Sequence, residues 1–150
     1  MTGREVMNRL REDVKRRAFL RRLRSEIHME MGNSGIDYSA DRVQASPKDP
    51  IFEEACRMMT RLQGIDSEVA MLTERINRAI DYIRKVTRAR PADVLMKRYY
   101  NGFPLRKIAD DLGYSYAQIK RDHGDGLREL DAILPPNFGE LWIKSHKEPK

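Results

Sequence analysis

The sequence predicts an all-α protein in which an N-terminal helix and a long heptad-patterned helix precede a C-terminal helix-turn-helix domain. Three observations lead there. Of 150 residues, 40% are hydrophobic and 35% charged but only 7% aromatic, which suits amphipathic helices with solvated faces better than a broad β-core. From Ile51 the apolar residues alternate four-three spacing for five heptads, the signature of one continuous helical seam. Near the C-terminus two short helical patterns meet across Gly113, as the two helices of a helix-turn-helix do.

The first element covers residues 1–31. Val6, Leu10, Val14, Leu20, Leu23 and Ile27 mark an imperfect apolar face, and the composition favours helix. Nine basic residues stand against three acidic ones between positions 3 and 24, a surplus equal to the whole chain's +6. Such a run fits either a solvated face on a packed helix or an arm that touches phosphates. Residues 32–50 then gather Gly32, Asn33, Ser34, Gly35, Ser46, Pro47 and Pro50, a cluster that reads as a turn-rich linker.

The long helix is expected over residues 51–90. Its stripe runs through Ile51, Ala55, Met58, Leu62, Ile65, Val69, Leu72, Ile76, Ala79, Ile83 and Val86. A continuous helix from Ile51 to Val86 extends about 54 Å and must cover its seam. Two coverings are open: the same segment of a second copy, or the N-terminal helix folded back as a hairpin. The first makes Met58, Leu62, Ile65, Val69, Leu72, Ile76, Ile83 and Val86 an oligomerisation surface and the protein a homodimer. Gly64 is the weakest helix former in the stripe.

Pro91 cannot donate a helical backbone bond and fits the first turn of a new helix, so a separate domain is expected over residues 91–134. Its first helix runs from about Pro91 to Tyr100 and stops at Asn101-Gly102. Leu105, Ile108, Ala109 and Leu112 form a second short helix that Gly113 ends. Ser115 then caps a third, with Ile119, Leu127, Leu130 and Leu134 on its apolar face. In a helix-turn-helix the outward, N-terminal positions of the last helix enter the major groove. Here these are Ser115, Tyr116, Ala117, Gln118, Lys120 and Arg121, with Arg106 and Lys107 flanking. Arginine can fork onto guanine, glutamine can pair with adenine, and lysine can hold phosphate. Seven basic residues balance seven acidic ones over 92–134. Polarity must therefore come from arrangement, with Asp110, Asp111, Asp125 and Asp131 turned away from DNA.

The stretch LMKRYYNGFPLRKIADDLGYSYAQIKRDHGDGLREL at 95–130 resembles region four of bacterial sigma factors, which reads the −35 promoter element. The likeness lies in Arg98-Tyr99, Pro104, Ile108-Ala109, Leu112-Gly113, Ser115, Ile119-Lys120 and the pair Leu127 and Leu130. Over most of residues 5–132 the chain is similar to phage-encoded, sigma-like late-transcription regulators of the ArpU/RinA type. The resemblance implies a DNA-reading helix at Ser115–Asp122, double-stranded DNA and RNA polymerase as partners, and regulation of late genes. Ala117 stands where a charged residue is usual, and Gly124 and Gly126 fall inside the longer helix that Ser115 caps. No segment resembles the promoter-melting part of a sigma factor.

Two further readings combine the same elements: a small-terminase-like packaging protein, and a polymerase-binding adaptor without base readout. Neither enzymatic chemistry nor a cofactor is expected. His28, His123 and His146 share no metal-ligand or nucleophile–base spacing, Cys56 is the single cysteine, and no glycine-rich phosphate loop occurs. His123, on the Ile119–Leu127 face, reads as a partly buried, hydrogen-bonded spacer. No apolar run approaches the roughly 20 residues that span a bilayer, so a cytoplasmic protein with no membrane partner is expected, in the host cell if phage encoded. The tail, residues 135–150, opens with Pro135-Pro136. It then offers Phe138, Leu141, Trp142 and Ile143 for docking on its own domain, a second subunit or polymerase.

Overall fold

A computed structural model describes residues 1–33 and 50–144, and its regular elements are all helices, with no strand among the described residues. Six helices follow in order: α1 (Gly3–Asn33), α2 (Pro50–Arg84), α3 (Ala89–Leu95), α4 (Leu105–Leu112), α5 (Tyr116–Ile133) and α6 (Phe138–Lys144). A wider π-helical turn, Met96–Tyr100, prolongs α3. Most of the expected linker, positions 34–49, and the last tail residues, 145–150, lie outside the described residues. Gly32 and Asn33 still belong to α1, and Pro50 opens α2. None of the helices in the described residues is long and apolar enough to cross a membrane.

The chain forms two compact units, Arg16–Met71 and the combination of Met1–Lys15 with Leu72–Lys150. In the first, the later part of α1 lies along the earlier part of α2. Ion pairs Arg16–Glu68 (2.9 Å) and Arg24–Asp66 (2.7 Å) link them, and Leu20, Ile27, Met31, Ala55 and Ile65 are buried. Met58, Leu62 and Val69 are half-buried there. The helix runs through Gly64 without a break, since one glycine costs only about 1 kcal/mol and buried Ala55 and Ile65 hold the helix by packing.

The second unit is built on a core of Val6, Met7 and Leu10 from α1, Ile76, Ala79 and Ile83 from α2, and Leu127 and Leu130 from α5, closed by Phe138 and Trp142. Two expectations change here. Leu72, Ile76, Ile83 and Val86 are all buried within a single chain, so this half of the heptad stripe is not an exposed dimer seam. Of the two open coverings, the fold-back of α1 is the one observed. Nor is 91–134 a separate domain, because the apolar face of α5 is buried only once the first turns of α1 and the last turns of α2 lie against it. The tail docks at least through Phe138 and Trp142 onto its own unit, Phe138 meeting Tyr82 edge-on at 5.0 Å.

Local chemistry explains the ends. Thr2 and Glu5 cap α1 reciprocally, Thr2 N–H donating to Glu5 and Glu5 N–H to Thr2 Oγ1, a capping box. The long helix α2 stops at Arg84, several residues before the expected Arg90. Arg88 is extended (φ −89°, ψ 127°), and Thr87 turns its N–H onto Glu129 at 2.7 Å. Pro91 then occupies the first turn of α3, where no backbone donor is needed. The first helix of the C-terminal part is α-helical only to Leu95. Beyond it Asn101 N–H donates to Met96 O and Phe103 N–H to Lys97 O, spans one and two residues wider than an α-turn.

Asp13 and Arg75 form a buried ion pair (3.0 Å), with the Arg75 guanidinium 5.1 Å above the Trp142 ring. Burial pushes Arg75 below its ordinary pKa, against the pull of Asp13 and with Arg9 adding to the shift. Removing one partner of such a pair strands the other charge. Asp13→Ala is expected to cost about 3 kcal/mol in urea denaturation, while Asp13→Leu combined with Arg75→Met returns most of that loss. A double variant no better than the single one would refute this account.

The glycines inside α2 and α5 predict a contrast. A Cβ on Gly126 would sit 3.0 Å from Leu95 Cδ1, whereas one on Gly64 or Gly124 meets nothing within 4 Å. Gly64→Ala and Gly124→Ala should each stabilise by up to about 1 kcal/mol. Gly126→Ala should gain nothing or destabilise, because fully buried Leu95 must move. Thermal melts of the three variants test the ordering.

Candidate nucleic-acid interface

The region of interest is the junction of α4 and α5. Gly113 adopts a left-handed conformation (φ 74°, ψ 27°) that a side chain rarely tolerates, and the N–H groups of Gly113 and Tyr114 both donate to Ala109 O. Ser115 is extended, and its Oγ accepts from Gln118 N–H at 3.2 Å, an N-cap. Ile108, Ala109 and Ile119 pack with Val94 into a small core that fixes α4 against α5. The short link and that core hold the first turn of α5 at the surface.

All eight residues expected to form the reading face lie on these two helices and their junction, and seven are exposed: Ser115, Tyr116, Ala117, Lys120, Arg121, Arg106 and Lys107. Gln118 is half-buried. Tyr116, 37% exposed, brings two cations together, with Arg106 4.6 Å and Lys120 5.4 Å from its ring centroid. Lys107 lies 4.1 Å over Phe103. These cation–π contacts hold flexible side chains near one aromatic surface without neutralising them.

Three residues absent from the sequence-based site complete it: Arg90, Tyr114 and Asp122. Asp122 is 1% exposed. Its carboxylate accepts from Arg90 Nε at 2.6 Å and from a second Arg90 nitrogen at 3.3 Å, a forked pair. Arg90 also lies 4.5 Å over the exposed ring of Tyr114, and Asp122 first, then Tyr114, holds its guanidinium above the ordinary value. Gln118 Nε2 donates to Asp122 Oδ1 (3.0 Å), and Gln118 Oε1 accepts from Arg121 (3.1 Å). A chain of hydrogen bonds therefore runs Arg90, Asp122, Gln118, Arg121. A carboxylate on the same face as Ile119 and Leu130 was the available signal for Asp122. For Arg90, nothing in the local pattern names its partner 32 residues away.

The remaining acidic groups of α5 are also engaged. Asp125 pairs with Arg88 (3.2 Å) and Arg128; Arg88 is the main cause of its depressed pKa. Glu129 accepts both the N–H and hydroxyl of Thr87, which lower its pKa. Asp131 accepts from Gly3 N–H. Asp110 and Asp111, near the end of α4, are exposed.

Behind the surface, the Tyr99 hydroxyl and His123 Nε2 share a 2.7 Å hydrogen bond, and the two rings stack at 5.7 Å. His123 is thus the partly buried, hydrogen-bonded spacer its position suggested. Burial pushes its imidazole down to about 4, with Arg4, Arg98 and Arg11 adding to the shift. Burial raises the Tyr99 phenol against the same arginines.

The folded protein therefore prefers neutral His123, while the unfolded chain takes up a proton near the ordinary 6.5. Stability from this group is present above pH 6.5 and is lost as pH falls from there towards 4. Allowing for the ring's residual exposure, the loss should be about 1–2 kcal/mol. His123→Gln keeps a Tyr99 partner without titrating, and should flatten urea stability between pH 7 and 4.5. An unchanged slope in that variant would assign the pH dependence elsewhere. No family model matches the chain, and neither the curated proteins nor the solved structures contain a significant match to it.

Proposed function

We propose that α4, the Gly113 turn and α5 form a helix-turn-helix that reads double-stranded DNA, and that the protein is a non-enzymatic transcription regulator. The observation that carries this reading is the distribution of charge on α5. Its carboxylates are spent on partners at Arg90, Arg88, Arg128, Thr87 and Gly3. Its exposed first turns carry Lys120 and Arg121, beside Arg106 and Lys107 of α4. Although nearly neutral in sum, the segment thereby offers cations and a capped helix N-terminus where a groove-entering helix needs them.

The likeness of residues 95–130 to sigma region four supports promoter DNA as the ligand and host RNA polymerase as the partner, in the manner of phage late-gene activators. The buried Leu72–Val86 stripe means that a homodimer uses another surface.

The test is fluorescence anisotropy with duplexes enriched from a random pool by the full-length protein. Lys120→Ala should weaken all duplexes about equally and reduce the dependence of log affinity on log salt by about one ion. Arg121→Ala should cost about 1–3 kcal/mol on the enriched sequence and much less on random DNA. Unchanged binding in both variants would remove α5 from the interface. Polymerase binding with no duplex affinity would make the protein an adaptor.

A further inference from the structure

Resting on that reading, we infer that Arg121 is the base-reading side chain of α5, that it selects guanine, and that Gln118 is its positioning residue rather than a second reader. By residue type alone, Gln118 is an adenine reader. The geometry assigns it otherwise. Its amide nitrogen is committed to Asp122 Oδ1 at 3.0 Å and its amide oxygen to Arg121 at 3.1 Å. Asp122 is itself buried and forked by Arg90.

A glutamine that pairs with adenine must present one N–H and its oxygen outward together. Gln118 keeps a second N–H and a second oxygen lone pair, but turning its amide edge onto adenine would pull an oxygen that holds Arg121 and a nitrogen that holds a buried carboxylate, straining a charge-assisted hydrogen bond comparable in strength to those the adenine edge offers in return. Arg121 has no such conflict. Only one of its nitrogens is used by Gln118, so its exposed guanidinium keeps enough N–H donors for the O6 and N7 of guanine. Gln118 sits three residues before Arg121 and four before Asp122, on one helical face. The buried end of the chain is anchored through Arg90 to α3, and the exposed end is the guanidinium. Arg121 thus enters the groove with part of its rotamer freedom already removed, which favours a single base position.

Asp122 is too buried to vary safely, so the test uses Gln118, whose side chain is half-exposed. Binding of the wild-type protein, Gln118→Ala and Gln118→Glu is measured against the enriched duplex, every single-base variant of it, and a version with 7-deazaguanine at the preferred guanine. Circular dichroism melts confirm that the variants fold. The wild-type protein should lose about tenfold on 7-deazaguanine substitution. Gln118→Ala should lower the preference for guanine over the other bases by about threefold to tenfold. Gln118→Glu retains an acceptor for Arg121 but loses the donor to Asp122 and sets two carboxylates side by side, so it too should lower the guanine preference.

A glutamate cannot donate to adenine N7. Loss of an adenine preference in both Gln118 variants, with guanine preference intact, would therefore overturn the proposal. So would a base-preference profile unchanged in Gln118→Ala. If the wild-type protein enriches no duplex at all, the DNA-binding reading itself fails, an outcome distinct from either.

Discussion

The arrangement depends on one close crossing, that of α5 over α3 at Gly126. A side chain there would press on Leu95, and its Cβ would lie 3.4 Å from the carbonyl oxygen of Pro91. The absence of a side chain lets the two backbones approach. Arg90 immediately precedes Pro91, and Asp122 lies one turn of α5 before Gly126, so the crossing that buries Leu95 also delivers Arg90 to Asp122. Core packing and surface chemistry are therefore one constraint, because a helix held further from α3 would leave Asp122 buried without its cation. Breaking such a pair is far more costly than never having made it.

The electrostatics follow from the same geometry. A segment with equal numbers of acidic and basic residues acquires a cationic face only when one sign is turned inward or engaged. Here the carboxylates of α5 are engaged rather than all hidden: Asp122 is buried, and Asp122, Asp125, Glu129 and Asp131 meet α3, the α2–α3 turn, a residue of their own helix and the first residue of α1, while Asp110 and Asp111 of α4 stay exposed. The Tyr99–His123 pair lies beneath, with burial first and three arginines after it disfavouring protonation of the imidazole. A charged histidine there would repel the cations around it, so the fold keeps a polar but uncharged spacer behind its basic surface.

Much of this was legible in the sequence, for identifiable reasons. Gly113, Ser115 and Pro91 act through their own backbones, so the turn, the cap and the start near α3 can be read locally. The placement of the eight proposed reading-face residues on α4, α5 and their junction follows from them by helical period. What covers a periodic stripe is a different matter. Four-three spacing states that Leu72, Ile76 and Ile83 share a face, and is silent on whether α1 or another chain lies against it. The end of α2 at Arg84 was also hidden, because Thr87 breaks the helix by bonding to Glu129, 42 residues later. Gly126 looked like a defect in α5 for a similar reason. Its value lies in Leu95 and Pro91, which no window around it contains.

The arginine-rich N-terminal segment shows what composition alone leaves open. It holds a basic surplus equal to the whole chain's, which fits either a solvated face or a phosphate-contacting arm. In the structure several of its basic groups have structural roles: Arg11 lies 5.1 Å over Tyr99, and Arg16 and Arg24 pair with Glu68 and Asp66. Its first residues pack so tightly on α5 that a Cβ at Gly3 would lie 3.0 Å from Leu130 Cβ and from the Leu127 carbonyl oxygen. Those contacts make the start of α1 a support for α5. Charge density on α1 raises the long-range attraction for any polyanion. Discrimination between sequences requires a side chain held in one orientation, and on the reading proposed above the hydrogen-bonded Arg121 at the start of α5 supplies it.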